Sequence, residues 1–264
     1  MHRRSFAFLA LAGAGVLVFP VSAHAQVQDI NDAINKAGRQ RMLSQRMAKA
    51  YLAMGQKIQD DHANKILGLS MALFDRQLSE LKAFAPTPEI GAAYGSLEGA
   101  WQDYKAALVG SAPAKTSADK VIDLSGKVLA LAHQGTVQLE SFSGKASGKL
   151  VNMSGRQRML SQRMAAHYLS ASWGVQATAS AAEMSKASEE FVKAHALLKN
   201  APESTPAIKS ELQLVESQFT FFDIALKSLK PGLGDVQAQG NVFTTSERIL
   251  QVMDGVTGMY SKLA

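Results

Sequence analysis

The chain has 264 residues, with 28 Lys+Arg against 22 Asp+Glu for a formal net charge of +6, and it contains no cysteine. A hydrophobic share of 47% with 19% charged residues is a globular balance, and it excludes a disordered or collagen-like chain. The lack of cysteine removes disulfides, thiolate metal sites and thiol nucleophiles, and 7% aromatics with 7 prolines favour helix over a β-sandwich or barrel.

In chain order, Arg3 and Arg4 precede an apolar run from Phe6 to Phe19 and then Ala23-His24-Ala25. A basic start, a short apolar core and an A-x-A site predict a secretory signal peptide over 1–25, cleaved after Ala25, and a periplasmic product. The remaining 239 residues carry 26 basic against 22 acidic side chains, +4, too mild a balance to suggest nucleic acid as a partner. No later segment is apolar enough to span a bilayer. The rest reads as two sets of four helices. In the first set, a helix bearing Leu43, Met47, Ala50 and Met54 on one stripe is followed by a polar turn at Asp60-Asp61-His62. A third helix carries Tyr94, Leu97, Trp101, Tyr104 and Leu108, and a fourth carries Val121, Leu124, Val128 and Leu131. Gly91, Gly95 and Gly99 form a stripe beside Trp101, for which close helix packing is expected to compensate. Ser143 to Gly148 is the expected joint.

The second set is the first repeated. Gly38 to Ala48 is identical to Gly155 to Ala165, 117 residues later, and Tyr51-Leu52 returns as Tyr168-Leu169. Phe74 answers to Phe191, Leu81-Lys82 to Leu198-Lys199, Trp101 to Phe219 and Tyr104 to Phe222. The expected fold is all-α: two tandem antiparallel four-helix bundles, 26–144 and 145–264, related by an internal pseudo-two-fold.

The repeated helix breaks the usual pattern. Opposite its core stripe lie Ala37, Gly38, Arg41, Ser44, Gln45 and Ala48, a small polar face with one arginine in its middle. Arg39, Arg46 and Lys49 lie between the faces, where solvation is the ordinary expectation. A second helix packed on the small face would enclose Arg41, yet neither copy contains an acid, from Ile34 to Ile58 or from Asn152 to Ala182. The counter-charge must come from another helix or from a bound anion.

Ala37-Gly38-Arg39-Gln40-Arg41-Met42-Leu43-Ser44-Gln45-Arg46-Met47, present twice, resembles the motif of PilJ-type sensor domains, the N-terminal domains of type IV pilus chemotaxis transducers. It is more loosely similar to the motif of the NarX/NarQ nitrate and nitrite sensor kinases. In those kinases two such helices from two subunits clamp one nitrate. The resemblance therefore implies a site at Gly38, Arg41, Ser44, Gln45 and Arg46 in one half and Gly155, Arg158, Ser161, Gln162 and Arg163 in the other. One chain would then supply both halves of a clamp for a small oxyanion such as nitrate or nitrite. It would report to an inner-membrane chemotaxis transducer or sensor kinase. Planar guanidinium groups suit a flat trigonal oxyanion. Three alternatives stand beside it: an interaction bundle that pairs with a PilJ-type partner, a site for a small carboxylate or peptide, and a plain packing interface. In the last, Arg41 and Arg158 would pair with acids such as Glu98, Asp103 and Glu216.

Little else suggests chemistry. His62, His133, His167 and His195 form no metal-binding spacing, His167 stands where the first half has Ala50 and reads as packing, and the methionines read as core. With no phosphate loop, nucleophile elbow or paired carboxylates, neither an enzyme nor a cofactor is expected.

Overall fold

The structure, a computed structural model, describes residues 26–263; the expected signal peptide, 1–25, lies outside them. Among the described residues there are eight helices and no strand: α1 (Ile30–Gly55), α2 (Asp60–Phe84), α3 (Pro88–Val109), α4 (Lys115–Ser143), α5 (Ala146–Trp173), α6 (Ala177–Asn200), α7 (Pro206–Lys227) and α8 (Val236–Ser261).

Local sequence sets the helix ends, and it does so twice. The Thr87 and Thr205 hydroxyls accept from the Ile90 and Ile208 amides, each with Pro at the first helical position, so α3 and α7 begin alike. Gln59 and Gln176, both left-handed (φ 52° and 45°), precede α2 and α6. The expected turn at Asp60-Asp61-His62 is instead the first turn of α2, where two acids complement the helix dipole. The joint between α4 and α5 is shorter than expected, Gly144 and Lys145, with Gly144 left-handed at φ 61°.

Helix α1 packs antiparallel on α2 and α4, and α3 closes on α4; α5 packs likewise on α6 and α8, and α7 closes on α8. The most extensive packing of any pair is α1 on α5, and one hydrophobic core runs through both halves. These two helices are parallel: Asn31 bonds Ser147 at their N-terminal ends, and Gln56 bonds the Leu169 carbonyl at their C-terminal ends. A pseudo-two-fold axis runs along them. Gln40 donates to the Phe74 carbonyl as Gln157 does to that of Phe191, and Gln45 donates to the Ser125 carbonyl as Gln162 does to that of Ser246.

Because α1 and α5 lie at the centre, most of their residues are buried. Lys49, expected to be solvated, has no exposed surface and bonds Ser246 and Glu247. The glycine stripe of α3 departs from expectation in the other direction. An added Cβ at Gly95 or Gly99 would meet nothing within 4 Å, so no close packing accounts for either glycine.

Candidate functional site

The parallel helices cross where both carry glycine. A Cβ added to Gly38 would lie 3.8 Å from Gly155 Cα, 3.2 Å from Arg41 Nη2 and 3.5 Å from Arg158 Nη2. Both guanidinium groups therefore converge on one small volume, and the two glycines make room for them. Each reaches across the axis: Arg41 Nη2 donates to the Asn152 carbonyl (3.2 Å) and Arg158 Nη2 to that of Asn35 (3.1 Å). Both arginines are completely buried, and neither Nε has a partner.

The remaining contacts differ. Arg158 Nη1 bonds the Asp254 carboxylate of α8, which also accepts from Arg39 Nη2 at 2.8 Å. Arg41 Nη1 meets the His133 Nδ1 of α4 at 3.2 Å, and no carboxylate among the described residues touches it. Since an arginine can only donate, His133 must be neutral here with its Nδ1 lone pair accepting. Burial, then the Arg41 and Arg156 charges, hold His133 down to about 4. Burial, then Arg156 and Arg158, push the Arg41 guanidinium down to about 9, while Glu140 and Glu190 offset this only through space. Glu140 bonds Asn152, and Glu190 bonds Arg156. The acids Glu98, Asp103 and Glu216 are not the partners: they pair with Lys82, Lys127 and Lys199.

The outer arginines repeat the asymmetry. Arg46 holds Glu247 of α8 through Nε (3.0 Å) and Nη2 (2.5 Å), and Lys49 shares that carboxylate. These bonds and the two charges hold the Glu247 carboxyl at about 2 although burial opposes them. Their counterparts on α5 turn the other way: Arg163 bonds Glu183 and Arg156 bonds Glu190, both on α6 of the same half. So α1 is tied to α8 across the halves by charge pairs, whereas the arginines of α5 make none with α4, which α5 meets instead through the bond of Asn152 to Glu140. Between α4, α5 and α6 this leaves a cavity of about 310 Å³ with Arg41 and His133 at one end. A larger cleft of about 500 Å³ between α6 and α7 has no buried charged residue on its lining.

Of the other expected site residues, Ser44 and Ser161 donate back to the Arg41 and Arg158 carbonyls. Gln45 and Gln162 fasten α1 to α4 and α5 to α8. The repeat drew attention to the arginines but not to His133, Asp254, Gly126 or Glu247. Ser125 and Ser246, Gly126 and Glu247, His133 and Asp254, and Thr136 and Thr257 share one spacing, four residues longer than that of the arginine helices. Aligning α4 with α8 at that spacing sets histidine opposite aspartate and glycine opposite glutamate. Among the described residues no group of three or more His, Asp or Glu is placed to hold a metal, and no helix is long and apolar enough to cross a membrane.

The family model described as the N-terminal domain of type IV pili methyl-accepting chemotaxis transducers, PilJ, matches the chain twice, over residues 23–126 and 141–253. No curated protein and no solved structure matches it.

Proposed function

This chain belongs to the PilJ family of type IV pili chemotaxis transducer N-terminal domains, a signalling family, and from that membership we propose that it is a periplasmic sensor module for a small anion. One observation carries the reading. Two arginines from one repeated helix are buried side by side, and only Arg158 has a carboxylate of its own. An ionised group in a dry interior costs several kcal/mol unless it is paired, so the environment of Arg41 favours an incoming negative charge. A small oxyanion such as nitrate or nitrite fits the planar donors of Arg41, and Gly38 and Gly155 keep the crossing open. The clamp is one-sided in this reading, because Asp254 already neutralises Arg158. A shift of α1 against α5 on binding would carry the signal to a membrane-bound transducer or kinase.

In thermal melts at matched ionic strength, nitrate, nitrite or acetate raises the melting temperature relative to chloride, and Arg41→Met removes the rise. Ligand at 100 times its Kd adds about 2.7 kcal/mol. Equal melting in all four salts would overturn the reading.

The partner reading has an observation of its own. Helix α7 exposes Leu214, Phe221 and Ile224, where its twin α3 carries Ser96, Asp103 and Ala106. Capture of a PilJ-type transducer domain, lost in Phe221→Asp, with no response to any anion, would favour an interaction protein.

A further inference from the structure

The cavity beside Arg41 is much larger than an inorganic oxyanion, and its walls are chemically divided. At the inner end stand the Arg41 guanidinium and His133. The sides are Leu129, Met159 and Leu160, all buried and apolar. The mouth carries the Arg156–Glu190 and Arg163–Glu183 pairs with Lys186 beyond them. A volume of about 310 Å³ lies at the lower end of the range for small-molecule sites, and an apolar middle between a buried cation and a charged mouth selects an amphipathic ligand.

We propose that this cavity binds a small organic monocarboxylate, with its carboxylate on Arg41 and its hydrocarbon body between α4 and α5. The inference rests on the anion-sensor reading above and specifies its ligand. The carboxylate replaces the His133 Nδ1 lone pair at Arg41 Nη1 and gives Arg41 what Asp254 gives Arg158. At the mouth Glu183 and Glu190 already pair with Arg163 and Arg156, so a second carboxylate would meet only the rim Lys186 and would give up the apolar contact of a terminal methyl. Every methylene of the ligand covered by Leu129, Met159 and Leu160 strengthens binding by a factor of about four.

Calorimetric titration of the chain with acetate, pentanoate, glutarate and nitrate tests this, beside the variant Gly126→Leu. Gly126 lines the cavity from its exposed rim, and a Cβ added there meets nothing within 4 Å, so a leucine fits without a clash at its Cβ and can fold over the cavity away from the buried Arg41. The expected result is pentanoate roughly sixtyfold tighter than acetate, with its three extra methylenes covered, and glutarate weaker than pentanoate. Gly126→Leu removes the pentanoate advantage and leaves acetate within about twofold. Pentanoate no tighter than acetate, or an unchanged advantage in Gly126→Leu, overturns the ligand class while acetate and nitrate binding leaves the anion-sensor reading standing. No binding of any of the four overturns both. The chain-length comparison on the unaltered protein stands whether or not the variant folds.

Discussion

The seam between α1 and α8 and the seam between α4 and α5 occupy equivalent places about one axis, and they use the same arginine-bearing helix. In the first, Asp254 and Glu247 of α8 hold Arg39, Arg46 and Lys49 of α1, Asp254 also holding Arg158 of α5, and the seam is latched. In the second, the positions of those acids hold His133 and Gly126; Arg156 and Arg163 bond α6 instead, and a cavity opens. After duplication one seam has served the structure and the other has been left incomplete. That difference teaches more about function than the symmetry does, because a latched seam needs nothing from solution.

Removing a latch gives the largest effect. Asp254→Ala strips Arg158 of its carboxylate and leaves a buried guanidinium uncompensated, so about 3–5 kcal/mol of stability is lost in urea unfolding. A loss below about 1 kcal/mol would erase the distinction between the seams. Glu247→Gln is next, with a loss of about 3 kcal/mol, since Lys49 is entirely buried against that carboxylate and already pushed down to about 8 by burial.

Completing the open seam has the opposite sign. His133→Asp copies Asp254 onto α4, hands Arg41 a carboxylate, and raises stability by about 1–3 kcal/mol. A fall in the urea midpoint would mean that Arg41 lacks no counter-charge.

The seams also titrate separately, which is the smallest effect. His133 is held at about 4, below its ordinary 6.5, so the unfolded chain takes up a proton that the folded chain refuses. Its share of stability is present above 6.5 and fades as pH falls towards 4. His167, also held at about 4 by burial and Arg163, adds to the same window. The carboxylate of Glu247, ordinarily near 4.5 and held at about 2, stabilises above 4.5 and fades between 4.5 and 2. Melting curves against pH should therefore fall less between 6.5 and 4 in His133→Asn, with the acid limb below 4.5 unchanged.

The fold was legible because helical periodicity and duplication act over many residues: Phe74 with Trp101 and Phe191 with Phe219 pack ring on ring at separations of 4.2 and 4.5 Å, as their repeat implied. The convergence of Arg41 and Arg158 was legible too, through the duplication and the resemblance of the repeated helix to the paired helices of the sensor domains. The neighbours were not. Lys49 looked like a solvated residue because a single-helix projection does not reveal that α1 is enclosed by α2, α4, α5 and α8. His133 and Asp254 stayed hidden because each is unremarkable alone, and their equivalence appears only when α4 is aligned with α8 at its own spacing. The glycine stripe of α3 misled for a related reason: spacing suggests a contact, but nothing in one helix says that a partner is present.

Acetate titrated calorimetrically into the unaltered chain and into His133→Asp tests the central claim most directly. A missing counter-charge at Arg41 predicts saturable binding to the unaltered chain and none to His133→Asp, whose new carboxylate occupies the place of the ligand. Equal binding to both proteins, or binding to neither, would contradict it.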